Sequence, residues 1–79
     1  MNPIPLQRKD AMKLLRDGRP HRLRLWKMST GAILTYPDAV FFSRHIRGGL
    51  LRLRLAASGQ MRSAKEFCIF EIDGRPIYW

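Results

Sequence analysis

Apolar and polar residues alternate most strictly between Gly48 and Ala57, where Leu51, Leu53 and Leu55 interleave with Arg52 and Arg54. A period of two places the leucines on one face of a strand and the guanidiniums on the other; a helix would scatter both sets around its axis. Gly48-Gly49 and Ser58-Gly59 bracket the run with turn residues. His21 to Trp26 repeats the device, with Leu23 and Leu25 set against Arg22, Arg24 and Trp26. The pattern predicts two strands, each with one buried face and one wet, cationic face.

The other elements are read around these two. Residues 1–4 are expected to fray, and the helical segment is 5–17, with regular turns from about Pro5 to Arg16. Pro5 suits a first helical turn. Ala11, Met12 and Leu15 form a narrow stripe that Ile4 and Arg8 extend backward, while Lys9, Asp10, Lys13 and Arg16 point away. Gly18 stands where a left-handed residue would end the helix, and Pro20 prevents its resumption. A β domain over 20–79 follows. Its first strand is predicted over His21 to Met28, turning at Ser29-Thr30-Gly31 into a second over Ala32 to Tyr36. Pro37-Asp38 reads as a further turn, and Ala39 to Ile46 as a third strand. The leucine–arginine run is the fourth. Gln60 to Ile72 reads as one long strand bent near Ser63, with a helical turn at Ser63-Ala64-Lys65-Glu66 as the alternative.

Asp73-Gly74 is a two-residue hairpin signal between apolar runs. It pairs Ile72 with Arg75, Phe70 with Ile77 and Cys68 with Trp79. Cys68, Phe70, Ile72, Ile77 and Trp79 then share one face, and Phe67, Ile69 and Tyr78 the other. Pro76, opposite Glu71, would turn its missing N–H outward on an edge strand. Asp-Gly-Arg-Pro occurs at 17–20 and again at 73–76. Its flanks do not match, so the two copies read as two turns with the same chemistry rather than as a duplication.

Length and charge narrow the function classes. A chain of 79 residues makes one small domain, burying roughly 60% of its unfolded surface. The net charge is +9, from 15 basic and six acidic residues. Arg44, Arg47, Arg52, Arg54, Arg62 and Lys65 accumulate between Ala39 and Lys65 without one acid. Such a field attracts polyanions; the plainer reading is a solvated surface that aids solubility. No apolar run approaches the roughly 20 residues that span a bilayer, and Met1 to Pro5 lacks a signal-peptide core. One cysteine, Cys68, makes no internal disulfide, so a reducing cytoplasm is expected.

Catalytic chemistry finds no foothold. His21 and His45 stand singly on different strands and read as rim residues flanked by arginine. A zinc site needs about four ligands, so no metal and no cofactor are expected. Cys68 reads as a small buried hydrophobe with no base beside it. Asp17, Asp38 and Asp73 fall in turns, which disfavours paired carboxylates for acid–base work. An enzyme is therefore not expected. The remaining surface is cationic: Arg22, Arg24 and Trp26 on the first strand, Arg44 and Arg47 after the third, and Arg52 and Arg54 on the fourth. Small barrels bind single-stranded nucleic acid through such strands when they carry exposed aromatics. The competing reading for Trp26 is that it closes the rim of a core too small to spare a tryptophan.

The helix exit Asp17-Gly18-Arg19-Pro20, the alternating strand after it and the closing run Phe70 to Trp79 resemble small proteins of bacterial phages and mobile elements, especially those of gut Bacteroidetes, that look like SH3-like barrels. The resemblance implies a fold and a genomic neighbourhood and carries no site residue. The expected fold is thus α+β and mainly β: a short N-terminal helix on a five- or six-stranded antiparallel, partly open SH3-like barrel, with an OB-like barrel as the alternative. The expected function is a non-enzymatic accessory domain that binds single-stranded DNA or RNA. The alternative is an interaction module, self-associating or holding an acidic protein, through the open edge of the last hairpin.

Overall fold

A computed structural model of the chain describes residues 4–45 and 49–78, with the side chains of Arg44 and His45 outside the description. Among these residues the chain runs β1 (Leu6–Gln7), α1 (Arg8–Leu15), β2 (His21–Trp26), β3 (Ile33–His45), β4 (Leu50–Leu55), β5 (Met61–Lys65), a single 3-10 turn (Glu66–Cys68), β6 (Ile69–Ile72) and β7 (Arg75–Tyr78). The seven strands form one sheet in the order β1-β7-β6-β2-β3-β4-β5. All neighbours are antiparallel except β1 and β7, which run parallel. The architecture is mainly β with one short helix, as expected. The sheet is mixed, has seven strands rather than five or six, and does not close into a barrel.

The alternation rule places the core. Leu23, Leu25, Leu51 and Leu53 are buried, and Arg22, Arg52 and Arg54 are exposed. Ala11, Met12 and Leu15 close the core from α1. Ile4 does not extend that stripe, being 71% exposed. The helix starts at Arg8 rather than near Pro5 because Leu6 and Gln7 pair with Ile77 and Tyr78 of β7, burying Leu6. Sheet pairing here overrides local helix propensity.

Pro37-Asp38 does not turn the chain: β3 is one strand of 13 residues. His21 faces Ala39 and Leu23 faces Tyr36, so Arg22 alone opposes Pro37 and Asp38 together. That is a β-bulge, which accepts a proline where the ladder needs no N–H. The slip keeps Leu34 and Tyr36 before it, and Ala39 and Phe41 after it, on the core side. Asp38 also fastens β4 to β3. Its carbonyl accepts the Ala56 N–H at 3.0 Å and its carboxylate the Ala57 N–H at 2.6 Å.

Two hairpin loops share one design. Lys27 N–H donates to Ala32 O, and Gly31 N–H returns to Lys27 O. Leu55 N–H donates to Gln60 O, and Gly59 N–H returns to Leu55 O. In each, a hydroxyl (Thr30, Ser58) accepts the N–H two residues on, and the glycine after it takes positive φ. The first loop therefore spans four residues, 28–31, rather than three.

The segment 60–72 bends at neither Ser63 nor a helical turn over 63–66. It breaks at the 3-10 turn Glu66–Cys68, so Phe67 and Cys68 precede the last strand pair instead of belonging to it. Asp73 (φ 51°) and Gly74 (φ 79°) form the expected tight turn, and Ile72 faces Arg75. Beyond that point the expected faces fail. Arg24 pairs with Glu71 and Leu25 with Ile69, leaving Phe70 as the extra residue of a bulge. Ile69 and Ile72 are therefore both buried, while Phe70 lies outward. Trp79 lies outside the described residues. β7 is not an edge, because β1 covers it.

Candidate nucleic-acid interface

The outer face of β2 carries Arg22, Arg24 and Trp26, alternating with the buried leucines as their spacing requires. Trp26 does not close the core: it is 46% exposed. Its indole rests against the Phe70 ring of β6, with centroids 5.2 Å apart and planes inclined by 38°. The Arg24 guanidinium lies 5.4 Å from the same Phe70 centroid. An offset aromatic pair with a cation over one ring is a stable way to hold flat apolar surface in water. The bulge at Phe70 turns that ring outward.

Glu71 tempers the charge here. Its carboxylate lies 3.7 Å from Arg24 and 3.8 Å from Arg22. Half-exposed pairs at such distances are worth little, but they fix the guanidiniums beside the aromatic pair.

A second cationic strip lies across β3. Arg52 and Arg54 project from β4, and the Arg52 guanidinium sits 6.0 Å from the ring of Phe42, which is 61% exposed. Phe42 is itself the extra residue of a bulge, between the Phe41–Leu53 and Ser43–Arg52 pairs. Among the described residues no carboxylate pairs with Arg52 or Arg54. The two strips adjoin different halves of β3: Arg24 faces Thr35, and Arg54 faces Val40. Of the other expected site residues, Arg44 contributes its backbone to β3 and its side chain is not described, and Arg47 lies outside the described residues.

His21 departs most from its sequence reading. It is buried, 6% exposed, rather than a rim residue. Its Nδ1 lies 2.6 Å from Asp73 Oδ2 and its Nε2 2.8 Å from Asp17 Oδ1. The aspartates are the first residues of the two Asp-Gly-Arg-Pro segments, so the repeated string converges on one imidazole. Each carboxylate is also tied to backbone: Asp17 accepts the Arg19 N–H, and Asp73 the Arg22 N–H. With a carboxylate at each nitrogen, both nitrogens donate and the ring is cationic. Burial pulls the His21 pKa down; the hydrogen bonds and charges of Asp73 and Asp17 outweigh it and hold it above 6.5. Asp17 is held below 3.8, first by the Arg19 N–H and then by His21. The carboxylates flank the ring from opposite nitrogens, so their oxygens do not converge on a metal position. Among the described residues no cluster of His, Cys, Asp or Glu forms a metal-binding set.

Phe70, Phe42 and Glu71 are the site residues the sequence reading missed. Their exposure follows from bulges and cross-strand register, for which the local string carries no signal. No family model matches the chain, and no curated protein or solved structure matches it.

Proposed function

We propose that the protein is a non-enzymatic accessory domain that binds single-stranded nucleic acid on the outer face of β2 and β6. One observation carries the reading: an exposed indole, braced by Phe70, stands in line with Arg22 and Arg24. A base stacks on the open face of Trp26 while the guanidiniums meet the neighbouring phosphates. Aromatic platforms flanked by cations bind strands without regard to sequence. The SH3-like reading belongs here too, attached to the five antiparallel strands β6-β2-β3-β4-β5 that carry both cationic strips.

The test is fluorescence anisotropy with labelled dT and rU oligonucleotides at several salt concentrations. Affinity should fall as salt rises, with a log–log slope of about −1.4 if two phosphates are engaged and about −2.8 if Arg52 and Arg54 join. Trp26→Ala should weaken binding roughly 5- to 150-fold, the range of about 1–3 kcal/mol per stacked base. Absence of binding at low salt overturns the proposal. Binding that Trp26→Ala and an Arg22→Ala/Arg24→Ala double variant leave unchanged removes this face from it.

A further inference from the structure

The open side of the sheet offers a second surface, which meets the face above at Trp26. β5 ends the strand order, and its register with β4 shows which backbone groups remain. Leu55 N–H donates to Gln60 O, and Glu66 N–H to Gly49 O. Residues 60, 62, 64 and 66 therefore turn their peptide groups toward β4, and Ser63 turns its N–H and C=O to the open edge. Between this edge and the β2–β3 hairpin runs an open groove of about 560 Å³, within the roughly 300–1,000 Å³ range of binding sites. Leu25, Leu34, Tyr36 and Cys68 line it, with Lys27 on one bank and Arg62 on the other. Met28, 64% exposed, stands on the hairpin bank.

We infer that this groove takes an extended acidic segment of another protein, which adds as a strand to β5. Charge decides the occupant. Arg62 pairs opposite the buried Leu53, so its side chain stands on the groove side of an edge strand. An inward-pointing cation on an edge discourages indiscriminate strand addition. A second copy of the chain would bring a second Arg62 into the same groove, and like charges so placed oppose pairing. Among the described residues Arg62 has only neutral acceptors, Met61 O and Gln60 Oε1, and no carboxylate lines the groove. A segment that carries both aliphatic side chains and carboxylates on the every-second-residue positions facing the groove answers all three features. Its backbone meets Ser63, its apolar side chains enter the groove, and its acids reach Arg62 and Lys27.

The probe is a labelled Glu-Val peptide, built of Glu-Thr-Val-Thr repeats so that acidic and aliphatic side chains share one face, and methylated at every second amide so that it cannot stack into fibrils. The opposite methylation pattern, on the edge that would face β5, serves as control, with a Lys-Val peptide beside it. The full chain should bind the first peptide saturably, with amide NMR shifts centred on 61–65 and 27–29, and should bind both controls at least tenfold more weakly. Arg62→Glu should invert the preference between Glu-Val and Lys-Val. Ser63→Pro, which removes only an edge N–H, should abolish binding; it carries the test if Arg62→Glu does not fold. Equal binding of the Lys-Val peptide, shifts confined to other strands, or a β5–β5 homodimer in solution would each overturn the inference. Arg22 and Arg24 do not line the groove, so the Arg22→Ala/Arg24→Ala double variant separates oligonucleotide binding from peptide binding.

Discussion

His21 is gripped at both ring nitrogens, so its protonation state is part of the folding equilibrium. A raised folded-state pKa means that the cation favours the native state fully below the unfolded value of 6.5, and that this contribution fades as pH climbs through the higher folded value. Asp17 acts at the other end: its lowered pKa contributes above 3.8 and is lost as the carboxylate is protonated below that. The cluster is strongest between these limits. Chemical denaturation should show the wild-type chain losing stability as pH rises above 6.5, and His21→Gln should flatten that dependence. At pH 5.5 the substitution should cost about 1–3 kcal/mol, the range for hydrogen bonds to charged groups, with the exposed flanks of Asp17 and Asp73 favouring the lower end. The doubled Asp-Gly-Arg-Pro string was visible in the sequence. Its meeting at one imidazole was not, because that depends on β6 lying beside β2, some fifty residues away along the chain.

Strands supply the clearest test of what a pattern can specify. Leu53 is fully buried and its neighbour Arg54 is exposed. Leu53→Ala should cost about 2–5 kcal/mol and Arg54→Ala less than about 0.5 kcal/mol, measured by urea unfolding. Equal costs would mean that the alternation does not place the core. That alternation made β2 and β4 legible, and with them the shared face of Arg22, Arg24 and Trp26. It failed where a strand changes phase. Around Pro37-Asp38 the apolar positions slip by one, which marks a turn and a bulge alike; only the opposing Arg22 decides between them. Phe70 has the same history. The Asp73-Gly74 turn correctly set the pairs next to it, but one extra residue farther back exchanged the faces of Ile69 and Phe70. The ring that braces Trp26 was therefore hidden, while the row of Arg22, Arg24 and Trp26 was plain.

Across the whole molecule the few acids are nearly all engaged. Asp17 and Asp73 hold His21, Asp38 caps a turn, Glu66 pairs with Arg8 at 3.2 Å, and Glu71 sits between two arginines. With all six counted, the chain still carries a net +9, so the fold repels itself. Thermal unfolding should consequently shift upward as sodium chloride rises from 20 to 300 mM. Relief of about 0.5 kcal/mol corresponds to roughly 2–4 °C in a domain of this size. A melting temperature that falls over that range would show that local ion pairs outweigh the general repulsion. The strand β3 bears on how such a molecule comes apart. Ala39 is paired on one side with His21 and on the other with Leu55, so a single backbone serves as the common wall of both halves. Deuterium uptake should then be slowest and most uniform along that wall, because neither half can breathe without disturbing the other.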